Sequence, residues 1–432
     1  MKKITVSIVL SLFPYCAFSQ VFQTDITVTN PATSTTPGDS LRKTLNFDAA
    51  NDFFDELSNS GFESSFSNYS NKSIVVANTV YNGVPINVNF PDNTAKLILN
   101  IPDLGITKTF NNATRSQSTK ALENYLRHDT DGTYTKITEY QVANTPSSQI
   151  AGNPTSQQGQ LVSSNFNVAA NVSAASTTGT QTTAVDTKAS TQVNPFAVGV
   201  GGGTYQQKGT DVSVINVPIS KAFGIDANDA RKKLLLNGQF NYVTVGQASS
   251  FQGGLGIGYM HPLTDNWYLI PNISYGMVGS QDLASLGQII SGSLASNYQF
   301  KVSDYTLSMV NMFGYYKTLP LNISNDIKSD PDIQNYVIKN GFFVSKELPF
   351  KVFDHRLSVK GIFTDTEFFG SKVFIRQYNE IGFEINTLEK VKWLDKVTFG
   401  LADALTVSAK YIFSIEDPNN LEGYDIGIGY DF

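Results

Sequence analysis

The sequence predicts a mainly β chain: a C-terminal antiparallel transmembrane β-barrel of about twelve strands, preceded by a small α+β domain and a polar linker. From Phe196 onward, apolar residues alternate with small or polar ones at a period of two, not 3.6. In the last nine residues, Tyr424, Ile426, Ile428, Tyr430 and Phe432 share one face of a strand, and Asp425, Gly427, Gly429 and Asp431 share the other. Beyond the first twenty residues of this 432-residue chain, no apolar run is long enough for a membrane helix. Charged residues are only 16% of the chain, which suits strands that alternate two chemistries, and helical spans are excluded.

Residues 1–19 carry Lys2 and Lys3, an apolar core from Ile4 to Phe13, and small residues at Ala17 and Ser19. This is the pattern of a secretory signal peptide cleaved after Ser19, and it implies the Sec export machinery as a partner. Cys16 is the only cysteine, and Phe13-Pro14-Tyr15 puts bulk where a lipidation motif wants small residues. The mature chain would then hold no disulfide and no thiolate metal site. The net charge of −6, or −8 without Lys2 and Lys3, argues against nucleic acid as a partner.

Residues 20–140 read as the small α+β domain. Asp48 is placed to cap a helix running to Leu57, with Phe53, Phe54 and Leu57 on one face. Strand patterns follow at 74–77, 84–90 and 96–101, separated by Asn-Gly and Pro-Asp-Asn turn chemistry. A helical period returns from Ser116 to Arg127. Asp129-Thr130-Asp131-Gly132 has only part of a calcium loop and reads as a helix-ending turn.

Across residues 141–194 Ser, Thr, Ala, Gln and Asn take over, a composition expected to form a flexible or extended connector that can occupy the barrel lumen, with at most one short strand over 163–173.

Residues 195–432 carry the barrel. Strand-like segments fall at 196–207, 211–224, 233–245, 251–259, 266–277, 289–302, 305–317, 336–348, 355–369, 374–387, 396–415 and 424–432. Phe251, Leu255, Ile257, Ile273 and Met277 share the apolar parity, and Gln252, Asn272 and Ser274 the polar one. That much polarity on one face does not suit the dry core of a soluble sandwich, the competing fold. Trp267 and Trp393 stand beside connections, where an interfacial aromatic girdle belongs. If the last strand ends in the periplasm, the long connections at 280–288, 318–335 and 416–423 fall outside the cell.

The closing stretch resembles the C-terminal assembly signal of Gram-negative outer-membrane barrels, with Gly427, Tyr430 and Phe432 at the glycine, hydrophobic and terminal aromatic positions. The resemblance implies the barrel assembly machinery and outer-membrane lipid as partners and the outer membrane of a Gram-negative bacterium as location. The order of signal peptide, separate domain, polar connector and C-terminal barrel is similar to that of autotransporters, whose barrels anchor or export what precedes them. The chain departs from that layout in having a small N-terminal domain without a repetitive β-helix pattern, and no clear lumen helix after it.

Catalytic chemistry is not expected. His128, His261 and His355 lie beside unrelated turns, without a nucleophile pattern, and the glycine clusters lack a phosphate-loop lysine, so no cofactor is implied. The constellation with functional promise is a set of lumen charges: Arg356, Lys360, Arg376 and Lys410 with Glu347, Glu380, Glu384 and Asp425. They would either pair with one another or line a pore. Two functions compete: display or translocation of the N-terminal domain, and a channel or uptake barrel whose N-terminal domain is periplasmic or plugs the pore. A closed, adhesive surface protein is a third. The surface ligand or solute is left unspecified by the residues.

Overall fold

The structure, a computed structural model, describes residues 22–33, 38–91, 94–171, 196–323, 327–352, 355–388, 404–415 and 420–431. Its N-terminal part holds β1 (Phe22–Asn30), β2 (Asp39–Phe47), α1 (Ala50–Glu56), α2 (Asn59–Ser65), β3 (Ile74–Tyr81), β4 (Val84–Phe90), β5 (Lys96–Ile101), β6 (Ile106–Asn111), α3 (Arg115–Arg127) and α4 (Thr133–Asn144). The six strands form one antiparallel sheet in the order β2-β1-β3-β4-β5-β6. Asn82 and Gly83 both adopt positive φ, the two-residue turn that Asn-Gly favours between twisted strands. Ile26, Val75, Val88 and Leu99 from the sheet bury against Phe53, Phe62 and Leu122 from the helices.

One expectation changes here, and the turn that ends α3 proves to start a further helix as well. Asp48 does not cap α1, which starts after Ala49 without a side-chain cap. The first helical N–H, on Ala50, instead donates to the Asp282 carbonyl of a barrel loop at 2.9 Å, which removes the need for one. The Asp129–Gly132 turn leads into a further helix, α4. Asp129 holds that helix's first turn, with Oδ1 accepting from the Tyr134 N–H at 2.7 Å.

The C-terminal part is a closed antiparallel barrel of twelve strands. They are β7 (Phe196–Gln207), β8 (Thr210–Gly224), β9 (Lys233–Val245), β10 (Ala248–Pro262), β11 (Trp267–Ser280), β12 (Ser285–Val302), β13 (Tyr305–Leu319), β16 (Gln334–Val352), β17 (His355–Gly370), β18 (Gln377–Thr387), β19 (Ala404–Phe413) and β20 (Leu421–Asp431). The small hairpin β14 (Leu321–Ile323) and β15 (Ile327–Ser329) stands in the connection after β13. Pairing of β20 with β7 closes the ladder and leaves no free edge. Alternation fixes the two faces: Leu255 is 72% exposed and Ile273 61%, while Gln252 and Asn272 on the opposite parity are 1% and 4% exposed. Every barrel strand places at least one large apolar side chain on the outside, from Val200 on β7 to Ile426 on β20. The exterior is therefore an apolar belt around a polar interior, the inverse of a soluble fold.

Because twelve is even, Phe196 and Asp431 emerge at the same end of the barrel. The N-terminal domain sits at the other end, on the β11–β12 and β17–β18 connections. Tyr81 Oη donates to the Leu283 carbonyl at 3.0 Å and Tyr134 Oη to that of Ala284 at 2.7 Å. The Phe374 N–H donates to the Val142 carbonyl at 2.8 Å.

Candidate lumen site and its helix

The segment read as a flexible connector is ordered between Thr145 and Asn171, and the short strand expected over 163–173 is part of a helix, α5 (Gln157–Ala170). It lies inside the barrel, against β9–β13 and β16. The expectation that no lumen helix follows the N-terminal domain is thus overturned. The physical reason is that its polar residues are not solvated: they meet a polar wall, so a core-like apolar stripe is unnecessary. Ser156 caps α5 by accepting from the Gly159 N–H at 3.3 Å, and in the neck that precedes it, Ser147 to Ser156, the carbonyls of Gln149 and Ile150 accept from the Gln157 and Gln158 N–H groups. At the other end, Asn297 Nδ2 donates to the Ala169 carbonyl at 2.7 Å.

Asn165 is the centre of the seam. Its Nδ2 lies 3.1 Å from Ser274 Oγ and 3.2 Å from both Ser291 Oγ and Tyr316 Oη, and its Oδ1 accepts from Asn272 Nδ2 at 2.7 Å. Asn237 Nδ2 reaches Ser164 Oγ at 3.0 Å, and Gln158 Nε2 reaches Asn335 Oδ1 at 3.0 Å. The few apolar residues of α5 seat on wall glycines. A Cβ at Gly341 would lie 2.6 Å from Phe166 Cζ, and one at Gly276 would lie 3.0 Å from Leu161 Cδ1. Those glycines are required for the close approach of helix and wall.

The wall not covered by α5, made of β7, β8 and β17–β20, borders about 390 Å³ of free space. Here the structure brings together Glu380, Lys410, Asp425, Lys360 and Glu384 of the expected charges. Lys410 Nζ lies 2.9 Å from Glu380 Oε1, Thr364 Oγ1 donates to Glu380 Oε2 at 2.7 Å, and Lys360 Nζ lies 3.6 Å from Glu384. Asp425 is the ladder partner of Lys410 and accepts from Tyr205 Oη at 3.4 Å. The sequence reading missed Lys339, which is buried and paired with Glu380, its ammonium 5.3 Å from the Phe166 ring and 5.4 Å from that of Tyr378. Parity was the available signal, since Lys339 is eight residues from Glu347 on one strand. A buried carboxylate between two lysines is a costly group to unpair, so this cluster is a fixed pairing network.

The remaining residues lie elsewhere. Arg376 is a correction: β18 begins at Gln377, so Arg376 belongs to the preceding connection, its side chain 67% exposed and 3.5 Å from outward-facing Glu367. Arg356 is exposed at the barrel end away from the domain, apart from the cluster, and its carbonyl accepts from the Leu388 N–H at 2.9 Å. Trp267 is exposed at the start of β11, with Nε1 donating to Ser296 Oγ at 2.8 Å. Gly427 lies on the inner parity of β20, and the Tyr430 backbone pairs with Leu405 and Val198. Phe432 and Trp393 lie outside the described residues.

No family model matches this chain, and no curated protein matches it. Among solved structures, it is similar to the translocator domain of autotransporter NalP from Neisseria meningitidis, at 10% identity over 64% of this chain and 96% of that one, with a TM-score of 0.39. The β domain of the Bordetella autotransporter Brka is 14% identical over 55% and 98% of the two chains, with a TM-score of 0.38. An outer-membrane channel from Pseudomonas putida F1 is 10% identical over 58% and 99%, with a TM-score of 0.35. The likenesses include both autotransporter and channel barrels, and at these scores the fold assignment rests on this chain's own closed ladder.

Proposed function

We propose that this protein is an outer-membrane β-barrel of a Gram-negative bacterium that anchors and displays its N-terminal domain at the cell surface. The carrying observation is topological: the domain sits at one end of the barrel, the barrel's own chain ends sit at the other, and α5 occupies the lumen between them. If the barrel ends face the periplasm, as in bacterial outer-membrane barrels, the domain faces outward. The apolar belt supports lipid as the surrounding medium, and the paired lumen charges support an anchoring role over chemistry on a substrate. Export by the Sec machinery and insertion by the barrel assembly machinery belong to the same reading.

A channel with a periplasmic domain is the second reading, and the free space beside α5 is what favours it. An epitope inserted beside Asn71 tests the two. Antibody labelling on intact cells is expected; labelling only after the outer membrane is opened would overturn display.

A further inference from the structure

The outward face of the barrel carries a polar row among its apolar side chains. Ser296 on β12, Asn311 on β13, Asn340 on β16 and Asp365 on β17 are successive ladder partners and form a row across four strands; Asn379 on β18, the ladder partner of Asp365, is buried. Alternation points the row outward: Asn311 lies between exposed Met309 and Phe313, and Asn340 between exposed Ile338 and Phe342. At its two ends, Ser296 and Asp365, the row has partners within the chain. Ser296 accepts from Trp267, and Asp365 accepts from Gln377 Nε2 at 2.5 Å.

The middle is not. Asn311 Nδ2 donates to Asn340 Oδ1 at 2.8 Å, which leaves Asn340 Nδ2 and Asn311 Oδ1 with no partner among the described residues. In water that would be unremarked, but in hydrocarbon an unmet amide group is costly and promotes association with something that can meet it. The inference therefore rests on the membrane reading of the barrel.

We propose that this row is a contact face between two copies of the barrel, meeting across β13 and β16. Two copies inserted the same way up are related by a two-fold axis along the membrane normal, so the contact is isologous. Asn340 Nδ2 of each copy then donates to Asn311 Oδ1 of the other, and the two intramolecular bonds and two new ones close a ring. The leftover groups, one donor and one acceptor per copy, are the pair such a symmetry consumes. Met309, Phe313, Ile338 and Phe342 provide the surrounding apolar contact. Asp365 stands nearer the domain end of its strand, where water and headgroups reach its charge.

The test uses full-length protein in outer membranes, with Cys16→Ser so that an introduced cysteine is the only one. Met309→Cys is expected to give an oxidised product of twice the mass, and Leu255→Cys, on β10, is not. Adding Asn311→Leu and Asn340→Leu to Met309→Cys is expected to lower that product roughly tenfold while heat-modifiable migration persists. Equal cross-linking at both sites, no cross-link from a heat-modifiable barrel, or an adduct heavier than two copies would overturn the proposal. Loss of heat-modifiability in the Cys16→Ser protein itself would overturn the membrane reading on which it rests. If the double leucine variant does not fold, the comparison of Met309→Cys with Leu255→Cys still decides.

Discussion

Asn165 shows how much one neutral side chain contributes when it is surrounded by matching groups. Replacing it by leucine leaves Asn272, Ser274, Ser291 and Tyr316 facing an apolar group in a buried seam. A cost of about 2–4 kcal/mol is expected, since unsatisfied buried groups cost about 1–3 kcal/mol each and some will find each other. Denaturant unfolding of the refolded protein reads it; a change below roughly 1 kcal/mol would mean that α5 is not held by this residue. Ionic contacts behave differently in the N-terminal domain. Burial works to raise the Asp131 carboxyl, but Lys108 at 2.5 Å, Tyr125 at 2.6 Å and Thr133 at 2.8 Å outweigh it and hold it well below the usual carboxylate range. The Asp131 bond raises Lys108 in turn. A depressed carboxylate stabilises above its unfolded value, about 3.9, and that contribution is lost as pH falls toward its folded value; a raised lysine stabilises below about 10.4 and loses its contribution as pH rises past that. Protection from hydrogen exchange of the Lys136 amide of α4, which donates to the Gly132 carbonyl beside this cluster, is thus expected to be flat from roughly pH 5 to 9 and to fall in acid. Asp131→Asn should remove most of the acid limb; an identical profile in that variant would assign the acid sensitivity to other groups.

At the level of elements, the barrel strands were legible and the lumen helix was not. A strand with an apolar exterior on one side and polar groups on the other has to alternate, so Phe251 to Tyr259 and Trp267 to Met277 reveal their faces directly. The same alternation sets a prediction: Ile273→Lys or Ile257→Lys should cost about 2–4 kcal/mol near the midplane, measured by refolding into lipid vesicles. Tolerance equal to that of an exposed loop position such as Asp265 would place those side chains in water. Helix α5 hid because amphipathic periodicity reports an apolar partner, and its partner is Asn, Ser and Tyr. Its four apolar residues larger than alanine, Leu161, Val162, Phe166 and Val168, are scattered around the helix and not confined to one stripe. The strands β1 and β2 were missed because the first interrupts its apolar face with Thr24 and fills the other with Gln23, Asp25, Thr27 and Thr29, and the second is half-solvated on both faces. Arg376 was misplaced for a boundary reason: reading β18 from 374 extended the strand's parity into a connection, where parity has no meaning.

For the whole molecule, the question is whether the lumen is open. The neck from Ser147 to Ser156 is almost entirely buried at the domain end, unusual for irregular backbone, and its polar groups are met by the wall: Gln252 Nε2 donates to the Thr155 carbonyl at 2.9 Å and the Ile375 N–H to that of Gly152 at 2.8 Å. Gly152 has a φ of +100°, and a Cβ there would collide with the Val142 carbonyl oxygen, so the neck has one fitted path past the rim. Among the described residues, with the neck at the mouth and α5 against half the wall, the space left lies along β7, β8 and β17–β20, where Lys410 pairs with Glu380 and Lys360 with Glu384. Purified full-length protein in planar bilayers is therefore expected to conduct weakly. Replacing residues 145–171 by a Gly-Ser linker of equal length removes neck and helix together and should raise single-channel conductance several-fold, because a twelve-strand barrel without them has a water-filled interior. If the full-length protein already conducts at the level of the linker variant, neither neck nor helix closes the barrel, and the channel reading replaces display.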